Sequence, residues 1–531
     1  MQLIIPMSGI GSRFLKAGYK IPKPLIEVEN QSIISHVVDM FPTVNSISFI
    51  CNEDHLNDPI LKMREKLLEI NSEAKIISIN PHKKGPIYAI IKAIDYLNYD
   101  SPIIVNYCDF NCLWNFEEFN KQMKSTQCDG CVVTYTGFHP HMLKNTNYAY
   151  VKTKGSEIKD IQEKKPFTSS PMNEFASTGT YYFKSLDIMR KYFEKAIQQD
   201  LSIKNEFYVS LSFKPMINDN LNLRIFNIDY FMQWGTPEDL SEFKWFSNLF
   251  TNKIKEATQE DFKLEGTLIM PCAGKGERFI KEGYKLPKPL IEVSNKPMLI
   301  QAINDLNIFN KKKIIIRENL EKKDILVSKV KKYFPEAEIT TIKKITNGQA
   351  ETCLFSLNKK EMEHPIMISA CDNGVLYNKQ KLKNLISDKT IDIVVFGFRG
   401  FPGAIKNPEM YGWIEEKENI IKNIYVKKKY KDPSKDPIII GTFYFKKGKI
   451  FKEITKELIE TNSRVNNEFY VDSAINFAIN KGYKVVLFET NSYLCWGTPS
   501  ELKTFNYWQN CFDRWSKHSY KKELDEDFNL H

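Results

Sequence analysis

Glycine and proline are sparse, 23 and 24 residues of 531, which excludes a collagen-like or low-complexity chain. No apolar run approaches the roughly eighteen residues that a membrane-spanning helix needs, and residues 391–398 form one of the longest. The opening MQLIIPMSG has no basic leader and soon meets Pro6 and Gly9, so no secretion signal is expected. Ten cysteines without such a signal fit reduced thiols in a cytoplasmic protein. Concentrated basic blocks are missing as well. The 75 basic and 65 acidic residues leave +10, and the densest run, at 427–431, is short. It reads as a solvated turn, so a polyanionic small ligand is expected and nucleic acid is not. Cys128 and Cys131 have zinc or redox spacing, but there is no second pair, and Ile391 and Val394 stand at the matching places further on. His139 and His141 have no counterpart either and read as loop residues.

What is present is a core-forming composition, 42% hydrophobic and 26% charged, in a chain long enough for two or three domains at about 100–200 residues each. It is also a duplication. Residues 6–28 and 271–293 are identical at 16 of 23 positions at an offset of 265. Asp109 answers to Asp372 at 263, and Gly179/Gly441, Asn205-Glu-Phe-Tyr-Val/Asn467-Glu-Phe-Tyr-Val and Trp234-Gly-Thr-Pro/Trp496-Gly-Thr-Pro lie 262 apart. So little drift requires one fold used twice. The expected division is a first domain at 1–250, a polar linker at 251–266, a second domain at 267–516 and a charged tail at 517–531.

Each half alternates β-branched runs with helical patterns. In the first, strands are expected at 3–6, 47–51, 75–79 and 103–107, with helices at 32–41 and 86–97. This order predicts an α/β fold with a mostly parallel, doubly wound sheet, whose ligands bind beyond the carboxyl ends of the strands. The turn at Gly9 and the residue Asp109 both follow strand ends, so they should share a crevice. Phe243, Trp245 and Phe246 recur as Phe505, Tyr507 and Trp508 and read as a helix packing on each domain.

Gly9-x-Gly11-x-Arg13 allows close backbone approach and supplies a planar cationic fork, and Lys23, between Pro22 and Pro24, adds a point charge. Gly274, Gly276, Arg278 and Lys288 repeat the set. A turn alone has no need of the cations, so the pattern points to polyphosphate. There is no third glycine for a dinucleotide fingerprint and no Gly-Lys-Ser/Thr ending for a Walker A loop.

Gly-x-Gly-x-Arg followed by Pro-Lys-Pro-Leu resembles the signature of the sugar-phosphate nucleotidylyltransferases, in particular small bacterial members associated with surface-polysaccharide precursors. The resemblance covers both halves and implies two tandem Rossmann-like domains related to the GT-A glycosyltransferases, each a mostly parallel mixed sheet flanked by helices. It implies that Arg13, Lys23, Arg278 and Lys288 hold a nucleoside triphosphate and steady the transferring group. Asp109 and Asp372 would hold Mg²⁺. Gly85 in the first half, and Gly348 with Gln349 in the second, would lie near the nucleobase. Glu163, Lys164, Gly179 and Glu206 would face the phosphorylated sugar, as would Lys427, Gly441 and Glu468. Loss of the acid at Val426 suggests a different acceptor for the second half.

Many family members have a second aspartate where this chain has Gln233 and Cys495. Either one aspartate, phosphates and water hold the ion, or another carboxylate substitutes; Asp229 and Glu489 are nearby but do not align. The reaction implied is transfer of a nucleoside monophosphate to a sugar 1-phosphate or related phosphorylated small molecule, at two centres, with release of pyrophosphate. Two alternatives stand beside it. One is a GT-A glycosyltransferase, whose Asp-x-Asp motif is absent at Asp109-Phe-Asn111 and Asp372-Asn-Gly374; the other is one catalytic copy paired with a non-catalytic, nucleotide-binding one.

Overall fold

The computed structural model describes residues 1–529 apart from 45, 98–100, 257–261 and 429. The chain forms two compact units. One is Met1–Ser247 with Asn510–His518, the other Asn248–Gln509 with Ser519–His531.

In the first unit a nine-stranded sheet has the order Lys75–Ile79, Ser46–Asn52, Gln2–Met7, Ile103–Asn106, Phe175–Phe183, Gly130–Tyr135, Leu223–Ile228, Glu157–Glu163, Ala149–Lys154. The first four strands run parallel. Phe175–Phe183 then enters antiparallel to both neighbours, making the sheet mixed. The second unit repeats the order strand for strand, from Glu338–Ile342 at one edge to Gly412–Lys417 at the other.

Continuous apolar runs build the central strands because both sheet faces are covered; Leu3, Ile4 and Ile5 are all fully buried. Helix Leu186–Gln198 lays Leu186, Met189, Phe193 and Ala196 on the first sheet, and Gly448–Glu460 does the same with Phe451, Ile454 and Leu458. The aromatic helices pack as expected. Phe243 meets the fully buried Trp234 at 5.2 Å between ring centroids, and Phe505 meets Trp496 at 5.8 Å.

The stretch 251–266, expected as a linker, carries the end of helix Pro237–Glu256 and the opening of strand Leu264–Pro271; only 257–261 lie outside the described residues. Lys253, polar in the sequence, is buried there against Asp525 at 2.8 Å and against Asp527. The region 517–531, expected as a charged tail, therefore includes core residues, and Tyr520 is fully buried. His141 is likewise buried, with its Nε2 2.9 Å from the Tyr135 hydroxyl.

Candidate active site

Strand Gln2–Met7 turns through the glycine loop into the short helix Ser12–Lys16. Gly11 caps that helix at φ +68° and Gly276 its counterpart at φ +67°, a region other residues enter at a cost. Gly9 and Gly274 differ. Neither has a positive φ, and a Cβ on either would meet nothing within 4 Å. Neither conformation nor packing requires glycine there. What the missing side chain leaves is bare backbone facing open space, which could take a phosphate. Arg13 and Arg278 stand exposed beside the loops and, among the described residues, pair with no carboxylate.

Two prolines stiffen the turn Lys23–Leu25, and Lys23 Nζ donates to Asp109 Oδ2 at 2.8 Å. Lys288 Nζ donates to Asp372 Oδ2 at 2.5 Å and to the Gly497 carbonyl at 3.0 Å. Burial works against each ammonium, but the facing carboxylate outweighs it and raises both lysine pKa values. Burial likewise opposes the Asp372 carboxylate, and Lys288 outweighs it, holding that acid below its usual range.

An antiparallel ribbon of Phe110–Leu113 with Tyr230–Gln233 sets Asp109 beside the Trp-Gly-Thr-Pro segment, and Asn373–Leu376 with Ser492–Cys495 does so for Asp372. The Trp234 and Trp496 amides donate to the Asp109 and Asp372 carbonyls at 3.0 Å. A Cβ on Gly235 would lie 2.8 Å from Asp109 Oδ2 and 3.4 Å from Gln233 Oε1; on Gly497 it would lie 3.3 Å from Asp372 Oδ2 and 3.5 Å from Glu501 Oε2. These paired oxygens suit a hard divalent cation. Among the described residues no group of three or more His, Cys, Asp and Glu is placed to hold a metal unaided, so phosphate and water would complete its shell. Asp229 and Glu489 are not the missing ligands. Both are exposed and engaged by arginines, Arg514 at 3.4 Å and Arg399 at 3.2 Å. Glu501 escaped the sequence reading because it comes from the helix after the Gly-Thr-Pro segment. Its counterpart Asp239 is tied to Lys144 at 2.7 Å, whereas Glu501 accepts from the Tyr411 hydroxyl at 2.9 Å.

At the opposite wall of the first site, Glu163 accepts from Ser210 Oγ at 2.6 Å. Burial raises its pKa and lowers that of Lys164. Lys164 Nζ donates to the Tyr208 hydroxyl, which donates to Glu206. Glu206 lies beside a left-handed Lys204–Asn205 turn, not in a helix, and Glu468 follows the matching Asn466–Asn467 turn. Lys427 Nζ donates to the Met410 carbonyl and lies 5.9 Å from the Tyr470 ring centre. Gly179 (φ +100°) and Gly441 (φ +79°) sit at irregularities in the antiparallel strand.

The loops expected at the nucleobase are stitched to the Asn-Glu-Phe-Tyr-Val segments. Phe207 N donates to the Lys84 carbonyl at 3.0 Å, and Phe469 N to the Asn347 carbonyl at 2.7 Å. A Cβ on Gly85 or Gly348 would meet the Phe207 or Phe469 amide nitrogen at 2.7 or 2.6 Å. Close backbone approach thus accounts for both glycines. Gln349 opens helix Gln349–Ser356. In the first unit His82, unremarked in the sequence, lies 3.2 Å from Ser8 Oγ beside the glycine loop. All the first-half residues named from sequence (Gly9, Gly11, Arg13, Lys23, Gly85, Asp109, Glu163, Lys164, Gly179 and Glu206) line one cavity of about 590 Å³.

Residues 3–246 match the family model described as Nucleotidyl transferase. No curated protein matches the chain. Among solved structures, a nucleoside-diphosphate-sugar pyrophosphorylase from Vibrio cholerae RC9 is similar at 21% identity over 45% of this chain and 98% of that one, with a TM-score of 0.37. An inositol-1-phosphate CTP transferase from T. maritima is similar at 17% identity over 47% and 96%, TM-score 0.37. A putative glucose-1-phosphate thymidylyltransferase from Bacillus anthracis is similar at 18% identity over 46% and 94%, TM-score 0.38.

Proposed function

We propose that each half transfers a nucleoside monophosphate from a nucleoside triphosphate to a phosphorylated acceptor, since the first half matches the nucleotidyl transferase family model and the second half repeats it. A sugar 1-phosphate is the acceptor class, pyrophosphate leaves, and the product is an activated sugar of the kind used for surface polysaccharide. The observation that carries this reading is the repeated placement of a lysine–aspartate pair beside an open glycine loop, Lys23–Asp109 and Lys288–Asp372.

The Gly9–Arg13 and Gly274–Arg278 loops offer backbone N–H groups and a guanidinium to the triphosphate. Lys23 and Lys288 place a compact charge where pyrophosphate departs. Mg²⁺, held by Asp109 with Gln233 in one half and by Asp372 with Glu501 in the other, would neutralise phosphate charge. Lys164 and Lys427 hold the acceptor phosphate so that its oxygen attacks the α-phosphorus in line. A phosphate monoester with a second pKa of about 6 is mostly dianionic at neutral pH and needs no general base. What the residues supply is alignment and charge neutralisation.

The test is pyrophosphate release from each nucleoside triphosphate with Mg²⁺ and a panel of hexose 1-phosphates. Asp109→Ala and Asp372→Ala singly should each leave turnover that the double variant lacks. Sugar transfer without pyrophosphate, or nucleotide binding without turnover, would overturn the reading.

A further inference from the structure

The acceptor walls of the two sites differ by an exchange. In the first unit the acid stands on a strand, where Glu163 pairs in register with Ala149 and accepts from Ser210. The same register in the second unit pairs Val426 with Gly412, and the residue 262 positions beyond Ser210 is Asp472, in the first turn of helix Val471–Asn480. Three changes therefore travel together: acid to valine on one strand, serine to acid on the helix, alanine to glycine on the neighbouring strand.

Gly412 is the partner that makes the change fit. A Cβ there would lie 2.6 Å from Asp472 Oδ2, and Gly412 has no positive φ to require glycine otherwise. The Asp472 carboxylate lies in the field of Lys427, as Glu163 lies in that of the matching Lys164. Burial raises the pKa of both acids. Among the described residues no side chain donates a hydrogen bond to Asp472, whose carboxylate accepts only its own backbone N–H, and a part-buried carboxylate has lone pairs to spare for a ligand's donor.

We propose that Asp472 is the acceptor-binding carboxylate of the second site, taking a sugar hydroxyl from a different wall than Glu163 does. The two sites consequently select acceptors that differ in hydroxyl configuration. This rests on reading both halves as nucleotidyl transferases, and the test separates the two ideas.

The full chain carrying Arg13→Ala and Lys164→Ala removes the first site from the measurement. Hexose 1-phosphates of gluco, galacto and manno configuration are the probes, read by calorimetric binding, which needs no turnover, and by pyrophosphate release. Asp472→Asn should weaken hexose 1-phosphate binding and raise its KM by about 10–150-fold, the worth of a hydrogen bond to a charged group, with the KM for nucleotide unchanged. Gly412→Ala should give a similar loss beside Asp472 and none in an Asp472→Ser background. Combining Val426→Glu, Asp472→Ser and Gly412→Ala should move the second site to the first site's acceptor preference. Unaltered binding in Asp472→Asn overturns the proposal even where turnover is present. Binding lost by Asp472→Asn in a parent that never releases pyrophosphate supports Asp472 and overturns the transfer reading. A parent that neither binds nor turns over overturns both.

Discussion

Gly9→Ala isolates what the open loop is for. The new methyl meets nothing within 4 Å and needs no left-handed φ, so the fold does not resist it. Restricting the unfolded chain should even stabilise the first unit by about 0.4–1 kcal/mol, near 2–4 °C in Tm per kcal/mol at this size. Nucleotide binding should move the other way. A methyl in the path of a phosphate displaces it from at least one backbone N–H, and a hydrogen bond to a charged group is worth about 1.5–3 kcal/mol, or roughly 10–150-fold in affinity. Two neighbours serve as controls. Gly11→Ala must hold φ +68° and should lower stability by about 1–2 kcal/mol. Gly85→Ala drives a Cβ to 2.7 Å from a backbone nitrogen and should unsettle the fold with it. Thermal melts beside nucleotide titrations, with the second site silenced by Arg278→Ala, read both quantities. A Gly9→Ala chain that melts lower, or that binds nucleotide as tightly as its parent, would refute the reasoning.

Lys23→Ala and Lys288→Ala should each cost about 10²–10³ in turnover at their own site, the scale for removing one electrostatic stabiliser, measured as pyrophosphate release with the other half silenced. Lys253→Met strands Asp525 and Asp527 in the core of the second unit and should cost about 3–5 kcal/mol, read by denaturant unfolding. Asp305 is half-buried near Asp527, and desolvation first, then that neighbour, raises its pKa. Its folded pKa lies above the unfolded value, so the folded state binds the extra proton and stability falls as pH rises from the ordinary carboxylate range of about 4 towards the raised pKa. Asp305→Asn should therefore gain stability over the parent at neutral pH and lose that advantage as pH falls towards 4. Urea unfolding between pH 5 and 8 measures it, and a difference independent of pH would show that Asp305 titrates normally.

Much of the site was legible because the repeat served as its own comparison. Spacing put Asp109 and the Gly9 turn past strand ends, and the structure pairs those two strands in parallel and sets both residues in one crevice, with Lys23 bonded to Asp109. What stayed hidden depends on register and on long-range partners. Glu501 could not be matched to a metal role from spacing, since the ribbon pairing Asn373 with Cys495 is what carries its helix towards Asp372. The missing acid at Val426 looked like a loss because its replacement is 46 positions away on another element. Polarity misled at 251–266 and beyond 517, where Lys253 looked solvated until paired with acids 272 and 274 residues downstream.

One consequence concerns synthesis. The first unit includes Asn510–His518, from which Trp515 packs on His36 at 5.4 Å and on Trp234 at 6.3 Å. A ribosome that has finished residue 247 has not yet made that piece. At about 5–20 residues per second, the amino-terminal unit waits roughly 13–50 s for its last aromatic contact. A gene cut between the repeats would yield a fragment permanently missing its own closing segment, so the two units have to be inherited and translated as a single object.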